Sequence, residues 1–227
     1  MNESSIWLLN FEYDNILDLV YPYFKIYADK IHADINIINE RKFPDWHITY
    51  EKAQIYEGGK NYKWNLLFDT DVLLHPHFPD LTKRVDKYKV GIKDSYNCKN
   101  RFKVNNYFFR DDRYIGICGV FAMSSYFCHD VFKPLPLTQE YYITQINLDE
   151  QEPSRGVTED RFITEYWLSN NLSKYSLKYQ GILSNDELYM FHHPYGRVDN
   201  KNIFHSYTDE EKIQLIKNKI KIWKELE

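Results

Sequence analysis

The strongest constraint on the fold is the alternation of apolar runs with helical periodicity in the first part of the chain. Between the first two apolar runs, apolar residues recur on one face from Ile16 to Ile31, which predicts a helix. Pro44 to Glu57 predicts a shorter helix that ends at a glycine pair. Strands that alternate with helices form mainly parallel sheets. We therefore expect an α/β fold, a single Rossmann-type domain with a mainly parallel central sheet flanked by helices. The predicted strands are 5–11, 33–38, 63–68 and 88–92.

Composition narrows the class of protein. The chain has 227 residues, is 43% apolar and carries a net charge of -4 with acids and bases interspersed, so no basic surface points to nucleic acid. Its cysteines, Cys98, Cys118 and Cys128, are odd in number and form no C-x-x-C pair, which favours a reducing, cytoplasmic setting. The N-terminus lacks a basic signal region, and no apolar run is long enough for a transmembrane helix.

Two carboxylates stand at the end of the third predicted strand. Asp69 and Asp71 follow the apolar run Trp64 to Phe68, and alternate side chains of an extended chain share a face. In open parallel sheets, ligands bind outside the carboxyl ends of the strands. Two carboxylates there suit one hard divalent cation, which would also allow a diphosphate to share the pocket. The alternative is a solvated strand end in which a carboxylate caps the following turn.

Six short segments resemble, in their order, the glycosyltransferases that use nucleotide sugars and have the type A (GT-A) fold. The glycogenin-like (family 8-like) group is the most similar. The resemblance spans most of the chain and implies one glycosyltransferase domain over 1–227, with a nucleotide-binding half at about 1–92 and an acceptor half at about 93–227. The segments are Tyr27-Ala28-Asp29-Lys30, Tyr50-Glu51-Lys52, Leu67-Phe68-Asp69-Thr70-Asp71-Val72-Leu73, Gly116-Ile117-Cys118-Gly119-Val120-Phe121, Glu159-Asp160-Arg161-Phe162 and Ile203-Phe204-His205-Ser206.

The resemblance also implies an activity and a metal site. Such an enzyme binds a nucleoside diphosphate sugar, here expected to be a UDP-sugar, through Mn²⁺ or Mg²⁺. It transfers the sugar to a hydroxyl of a glycan, lipid-linked or protein acceptor. Asp69 and Asp71 would hold the cation, and His205 is our choice for its third ligand. The alternatives for that ligand are His75, His77, His192 and His193.

Further residues receive roles by the same resemblance. Asp160, with Glu159 beside it, would take the acceptor proton or orient the acceptor. Acids in a first helical turn are also favoured by the helix dipole alone, and the choice between inversion and retention stays open. The expected donor-binding residues are Asn10, Tyr13, Lys52, Thr70 and Gly119. Tyr13 would stack on the base, Lys52 would contact the diphosphate or only extend into solvent, and Gly119 would admit the donor sugar or form a bulge.

Two other functions fit the same carboxylates. In a haloacid-dehalogenase-like phosphatase, Asp69 would be the nucleophile, but such enzymes also need a later lysine and an acidic pair of the Gly-Asp-x-x-x-Asp type. A non-catalytic sugar-binding domain is the third possibility. The segment Thr208 to Glu227 predicts a basic amphipathic helix, which either packs on the sheet or lies on an anionic membrane.

Overall fold

A computed structural model describes residues 2–93, 120–144, 163–194, 196–198 and 204–226. The strands are β1 (Asn2–Leu9), β2 (Ala33–Ile38), β3 (Tyr62–Asp69), β4 (Leu73–Leu74), β5 (Lys89–Ile92), β6 (Phe121–Ser125), β7 (Lys178–Gly181), β8 (Phe191–His192), β9 (Gly196–Val198) and β10 (Phe204–Ser206). The α-helices are α1 (Asp14–Ile31), α2 (Ile55–Gly58), α3 (Gln139–Ile143), α4 (Ile163–Lys174) and α5 (Asp209–Leu226). Short 3-10 helices cover Ile48–Gln54, Leu81–Lys83, Tyr126–Phe132 and Asn185–Met190.

Six of the strands form the central sheet, in the order β2-β1-β3-β6-β5-β7. Strand β6 is antiparallel to both of its neighbours, whereas the other pairs are parallel. The prediction of an α/β fold with a mainly parallel sheet is confirmed. Because Leu9 is in register with Asp69, the end of β1 and the end of β3 meet at one edge of the sheet.

Helices α1 and α5 cover one face of the sheet. The apolar residues of α1 recur every three or four positions and are buried from Ile16 to Ile31, as the periodicity predicts. In α5, Ile216 and Trp223 are buried in the same core, so the apolar side of this basic helix packs inside the protein. None of the helices in the described ranges is long and apolar enough to cross a lipid bilayer.

The start of α5 has a reciprocal cap. The Thr208 hydroxyl accepts a hydrogen bond from the backbone N–H of Glu211 at 3.3 Å, and the Glu211 carboxylate accepts one from the Thr208 N–H at 2.9 Å. This reciprocal capping box satisfies two donors that a helix start would otherwise leave unpaired. The first turn of α5 therefore has a defined position.

The predicted helix from Pro44 to Glu57 is wrong in its first part. The chain turns at Phe43–Trp46, and the helical region begins as the 3-10 helix Ile48–Gln54 before continuing as α2. The cause is Glu51, which is fully buried and accepts hydrogen bonds from the backbone N–H groups of Lys42 and Phe43. Those bonds hold residues 42–46 as a loop over the helix.

A second hydrophobic core lies on the face of the sheet opposite to α1 and α5. It contains Trp167 of α4 and Phe132, both fully buried, together with Tyr50 of the first 3-10 helix. The Tyr50 hydroxyl accepts a hydrogen bond from the Leu135 N–H at 2.7 Å, and Trp46 stacks on its ring at a centroid distance of 3.8 Å. This packing fixes the helical segment that carries Lys52.

Candidate metal centre

The two aspartates come together in a tight turn. Asp69 ends β3, and the backbone N–H of Val72 donates to the Asp69 carbonyl at 3.1 Å, so Thr70 and Asp71 are the central residues of the turn. Our prediction that the pair converges by alternation along a strand is therefore wrong in its geometry. The prediction that the pair lies at the carboxyl edge of the sheet is supported by the position of β3 beside β1.

A histidine lies close to the two carboxylates. Strand β8 pairs with β4, so that His192 lies opposite Leu73. This pairing places the next residue, His193, beside the turn that contains Asp71. Nε2 of His193 lies 3.1 Å from Oδ1 of Asp71. One ligand atom from each of Asp69, Asp71 and His193 lies within 4.8 Å of the others. His193 is one of the alternatives that the sequence offered for the third ligand.

The other candidate histidines have different surroundings. Nε2 of His192 is buried with no hydrogen-bond partner in the described ranges. Burial, followed by the positive charge of Lys219, lowers the pKa of His192 to about 4. His205 lies in β10 opposite Arg197, but its side chain is outside the described residues. The choice of His205 as a ligand therefore stays a prediction.

Each carboxylate also contacts a lysine. Nζ of Lys52 is hydrogen-bonded to Oδ1 of Asp69, and Nζ of Lys212, in the first turn of α5, lies 2.7 Å from Oδ2 of Asp71. The Lys52 side chain is 3% exposed and that of Lys212 is 15% exposed. Lys52 is a predicted site residue. Lys212 is not, because no local pattern distinguishes it from the other lysines of the helix.

The pKa values of Asp71 and Lys212 report this pairing. Burial alone raises the pKa of Asp71, but the hydrogen bonds from His193 and Lys212, together with the positive charge of Lys212, outweigh it and hold the pKa well below its usual range. Burial alone lowers the pKa of Lys212, but the charge of Asp71 outweighs it, so the pKa is raised. Both groups are therefore charged at neutral pH.

Two predicted donor-binding residues, Asn10 and Tyr13, lie in the loop between β1 and α1, which follows the strand beside β3. The Asn10 side chain donates to Oδ1 of Asp14 at 2.7 Å, and its own Oδ1 is buried with no donor in the described ranges. The Tyr13 ring is 39% exposed and lies 5.5 Å from Nζ of Lys212. Between them, Glu12 has a φ of 65°, a left-handed conformation that is uncommon for residues other than glycine.

The remaining predicted site residues divide into two groups. The Thr70 hydroxyl is buried and donates to the carbonyl oxygen of Leu9, so it links the ends of β3 and β1. Gly119, Glu159 and Asp160 lie outside the described residues, and their roles stay predictions.

The donor set fits a divalent cation. Two carboxylates and one imidazole are ligands that Mn²⁺ accepts, and the carboxylates also suit Mg²⁺. Their atoms converge where a carboxyl edge of the sheet, the first loop and α5 meet. The site therefore has residues that could hold a metal ion, with two cationic side chains beside them.

Comparison with known proteins supports the fold. No family model matches the chain, and no curated protein matches its sequence. Among solved structures, the chain is similar to a glycosyltransferase involved in the glycosylation of the major capsid of PBCV-1, with 10% identity over 95% of this chain and 99% of that one and a TM-score of 0.51. The mixed α/β architecture is thus one that a glycosyltransferase has.

Two further similarities are more distant. The chain covers 79% of a mutant Drosophila β-1,4-galactosyltransferase 7 in complex with manganese, UDP-Gal and xylobiose, at 10% identity over 93% of this chain and a TM-score of 0.41. It covers 46% of the glycosyltransferase GlyE of Streptococcus pneumoniae, at 10% identity over 83% of this chain and a TM-score of 0.41. Of these three, the first alone has a TM-score above 0.5, so the fold comparison rests on it.

Proposed function

We propose that this protein is a metal-dependent glycosyltransferase that transfers a sugar from a nucleoside diphosphate sugar, expected to be a UDP-sugar, to an acceptor hydroxyl. The observation that carries the proposal is the convergence of Asp69, Asp71 and His193 at the carboxyl edge of a sheet with this architecture. A Mn²⁺ or Mg²⁺ ion there would stabilise the negative charge that grows on the diphosphate as the sugar leaves.

The residues around the centre support specific roles. Asp69, Asp71 and His193 would hold the cation, with His205 as the alternative third ligand. Lys52 and Lys212 are close enough to the carboxylates to offer positive charge to the phosphate oxygens. The exposed Tyr13 ring offers a face on which a nucleotide base can stack.

The roles that we propose in acceptor binding are based on the sequence. Glu159 and Asp160 precede α4, and we propose that Asp160 takes the acceptor proton or orients the acceptor hydroxyl. Proton NMR of the product distinguishes the two roles. Inversion at the anomeric carbon supports a base, whereas retention excludes a single displacement assisted by a base. The acceptor hydroxyl that we propose belongs to a glycan, a lipid-linked or a protein acceptor.

Thermal unfolding of the parent and of Asp71→Asn tests the proposal. Each protein is heated with UDP or GDP, and with Mn²⁺ or a chelator. A nucleotide at a hundred times its dissociation constant should stabilise the parent by about 2.7 kcal/mol. We expect a rise in Tm for the parent with nucleotide and Mn²⁺ together, and none for Asp71→Asn. The exposed Asp18→Asn in α1 is the matched control.

If no nucleotide stabilises the parent under any condition, the donor site is refuted. Phosphate-ester hydrolysis by the parent that is lost in Asp69→Asn would then point to the phosphatase, in which Asp69 is the nucleophile. Nucleotide-sugar binding without transfer or hydrolysis would instead point to a non-catalytic sugar-binding domain.

A further inference from the structure

The two aspartates are already paired with positive charges inside the fold. Lys52 reaches Asp69 from the first 3-10 helix, and Lys212 reaches Asp71 from α5, across 141 residues of sequence. Burying an ammonium group is unfavourable unless a partner compensates it. Since both lysines are largely buried, the carboxylates compensate them.

Among the described residues, the two carboxylates and the two lysines of this cluster balance in charge without any ligand. Asp69 and Asp71 carry two negative charges, and Lys52 and Lys212 carry two positive ones. A divalent cation bound alone would bring two further positive charges within a few ångströms of both ammonium groups, where partial burial strengthens the repulsion. A diphosphate bound alone would compete with the carboxylates for the lysines. Each ligand alone therefore leaves the cluster with uncompensated charge.

Both ligands together restore the balance. The cation compensates the carboxylates, and the phosphate oxygens compensate the lysines. Nζ of Lys212 lies 2.7 Å from Oδ2 of Asp71 and 5.5 Å from the ring centroid of Tyr13, a residue that is 39% exposed, so Nζ is next to a solvent-accessible side chain. It can thus exchange a carboxylate for a phosphate oxygen with little movement of the helix that carries it.

We infer that Lys52 and Lys212 are internal counterions that make the binding of the cation and of the nucleoside diphosphate mutually dependent. The inference rests on the proposed function and specifies how its two ligands are coupled. By thermodynamic linkage, the nucleotide raises the affinity for the cation by the same factor by which the cation raises the affinity for the nucleotide. We expect that factor to be at least about ten-fold in the parent.

Lys212→Met tests the inference because it removes one positive charge and keeps an apolar stem of similar length. The free Mn²⁺ signal in electron paramagnetic resonance measures Mn²⁺ binding, first alone and then with saturating UDP. We expect Lys212→Met to bind Mn²⁺ alone about ten-fold more tightly than the parent, and to bind UDP with Mn²⁺ more weakly. The coupling factor, by which UDP raises the affinity for Mn²⁺, should therefore fall. If Lys212 only supported the fold, its replacement would weaken the binding of both Mn²⁺ and UDP.

Two control variants isolate the charge. Lys217→Met changes an exposed lysine of the same helix and should bind both ligands like the parent. Lys212→Arg keeps the charge and should keep the weak binding of Mn²⁺ alone. Thermal unfolding without ligand checks that each variant is folded. If Lys212→Met does not fold, Lys212→Gln, which removes the same charge, replaces it in the same measurements.

The outcomes are distinct from those of the proposed function. If Lys212→Met binds Mn²⁺ alone no more tightly than the parent, or if the parent binds Mn²⁺ equally well with and without UDP, the inference is overturned. If UDP with Mn²⁺ binds the parent but the coupling is absent, the inference fails and the donor site stands. If UDP never binds the parent, the proposed function fails and the coupling fails with it.

Discussion

Glu51 provides the sharpest test of how the loop at residues 42–46 is held. Its carboxylate is fully buried and accepts four hydrogen bonds. The donors are Nε of Arg41 at 2.8 Å, the Lys42 N–H at 2.8 Å, the Phe43 N–H at 2.9 Å and Nε2 of Gln54 at 2.7 Å. We expect Glu51→Ala to release the loop and to destabilise the whole chain.

The magnitude follows from the donors that lose their partner. Two are backbone N–H groups, and a buried donor without a partner costs about 1–3 kcal/mol. Arg41 is partly exposed, so water can replace part of its interaction. Removing one member of a buried ion pair costs about 3–5 kcal/mol, and we expect Glu51→Ala to fall in this range. For a chain of this length, that is a fall in Tm of about 10 °C.

Urea-induced unfolding, followed by tryptophan fluorescence and by circular dichroism, measures the change. Glu57→Ala is the matched control, because its carboxylate is 70% exposed and pairs only with Lys60 among the described residues. Such a pair contributes less than about 1 kcal/mol. A loss below about 1 kcal/mol for Glu51→Ala, with an unchanged dependence on urea, would refute this account of the loop.

Three further predictions concern other parts of the fold. A Cβ on Gly59 would lie 2.3 Å from Oδ1 of Asn65, so Gly59→Ala should destabilise the protein by about 1–3 kcal/mol in urea unfolding. Burial lowers the pKa of His129 below its usual 6.5, so the unfolded state binds more protons, and the stability present above pH 6.5 should decline as the pH falls below it. His129→Gln should flatten that decline in unfolding experiments at a series of pH values. Thr208→Ala removes the cap of α5 and should cost about 1 kcal/mol by the same urea assay.

Local patterns are sufficient to predict much of the sheet and its first helix. The observed bounds of β2 match the predicted strand at 33–38, and the apolar face of α1 follows from periodicity, because α1 buries the residues that define its pattern. The capping box at Thr208 is equally local. Each of these features depends on residues within a few positions of one another.

Other features depend on contacts between distant segments. Strand β6 enters the sheet antiparallel between β3 and β5, which no periodicity specifies. The loop before Ile48 is set by hydrogen bonds that Glu51 accepts from residues nine and eight positions earlier, which override a helical pattern. His193 reaches Asp71 only because the two-residue strands β4 and β8 pair. The sequence therefore identifies several histidines as candidates for the third ligand but does not distinguish His193 from the others.

The position of Lys212 connects the packing of the last helix with the chemistry of the centre. Two adjacent carboxylates repel each other, so a fold that places Asp69 beside Asp71 needs nearby positive charge when no cation is bound. Helix α5 provides it, because the burial of its apolar side against α1 fixes the first turn over the carboxylates. In the mechanism that we infer, the lysine that stabilises the ligand-free fold is also the group that a cation would displace. Stability without ligand and weak binding of a lone cation would then have one physical cause.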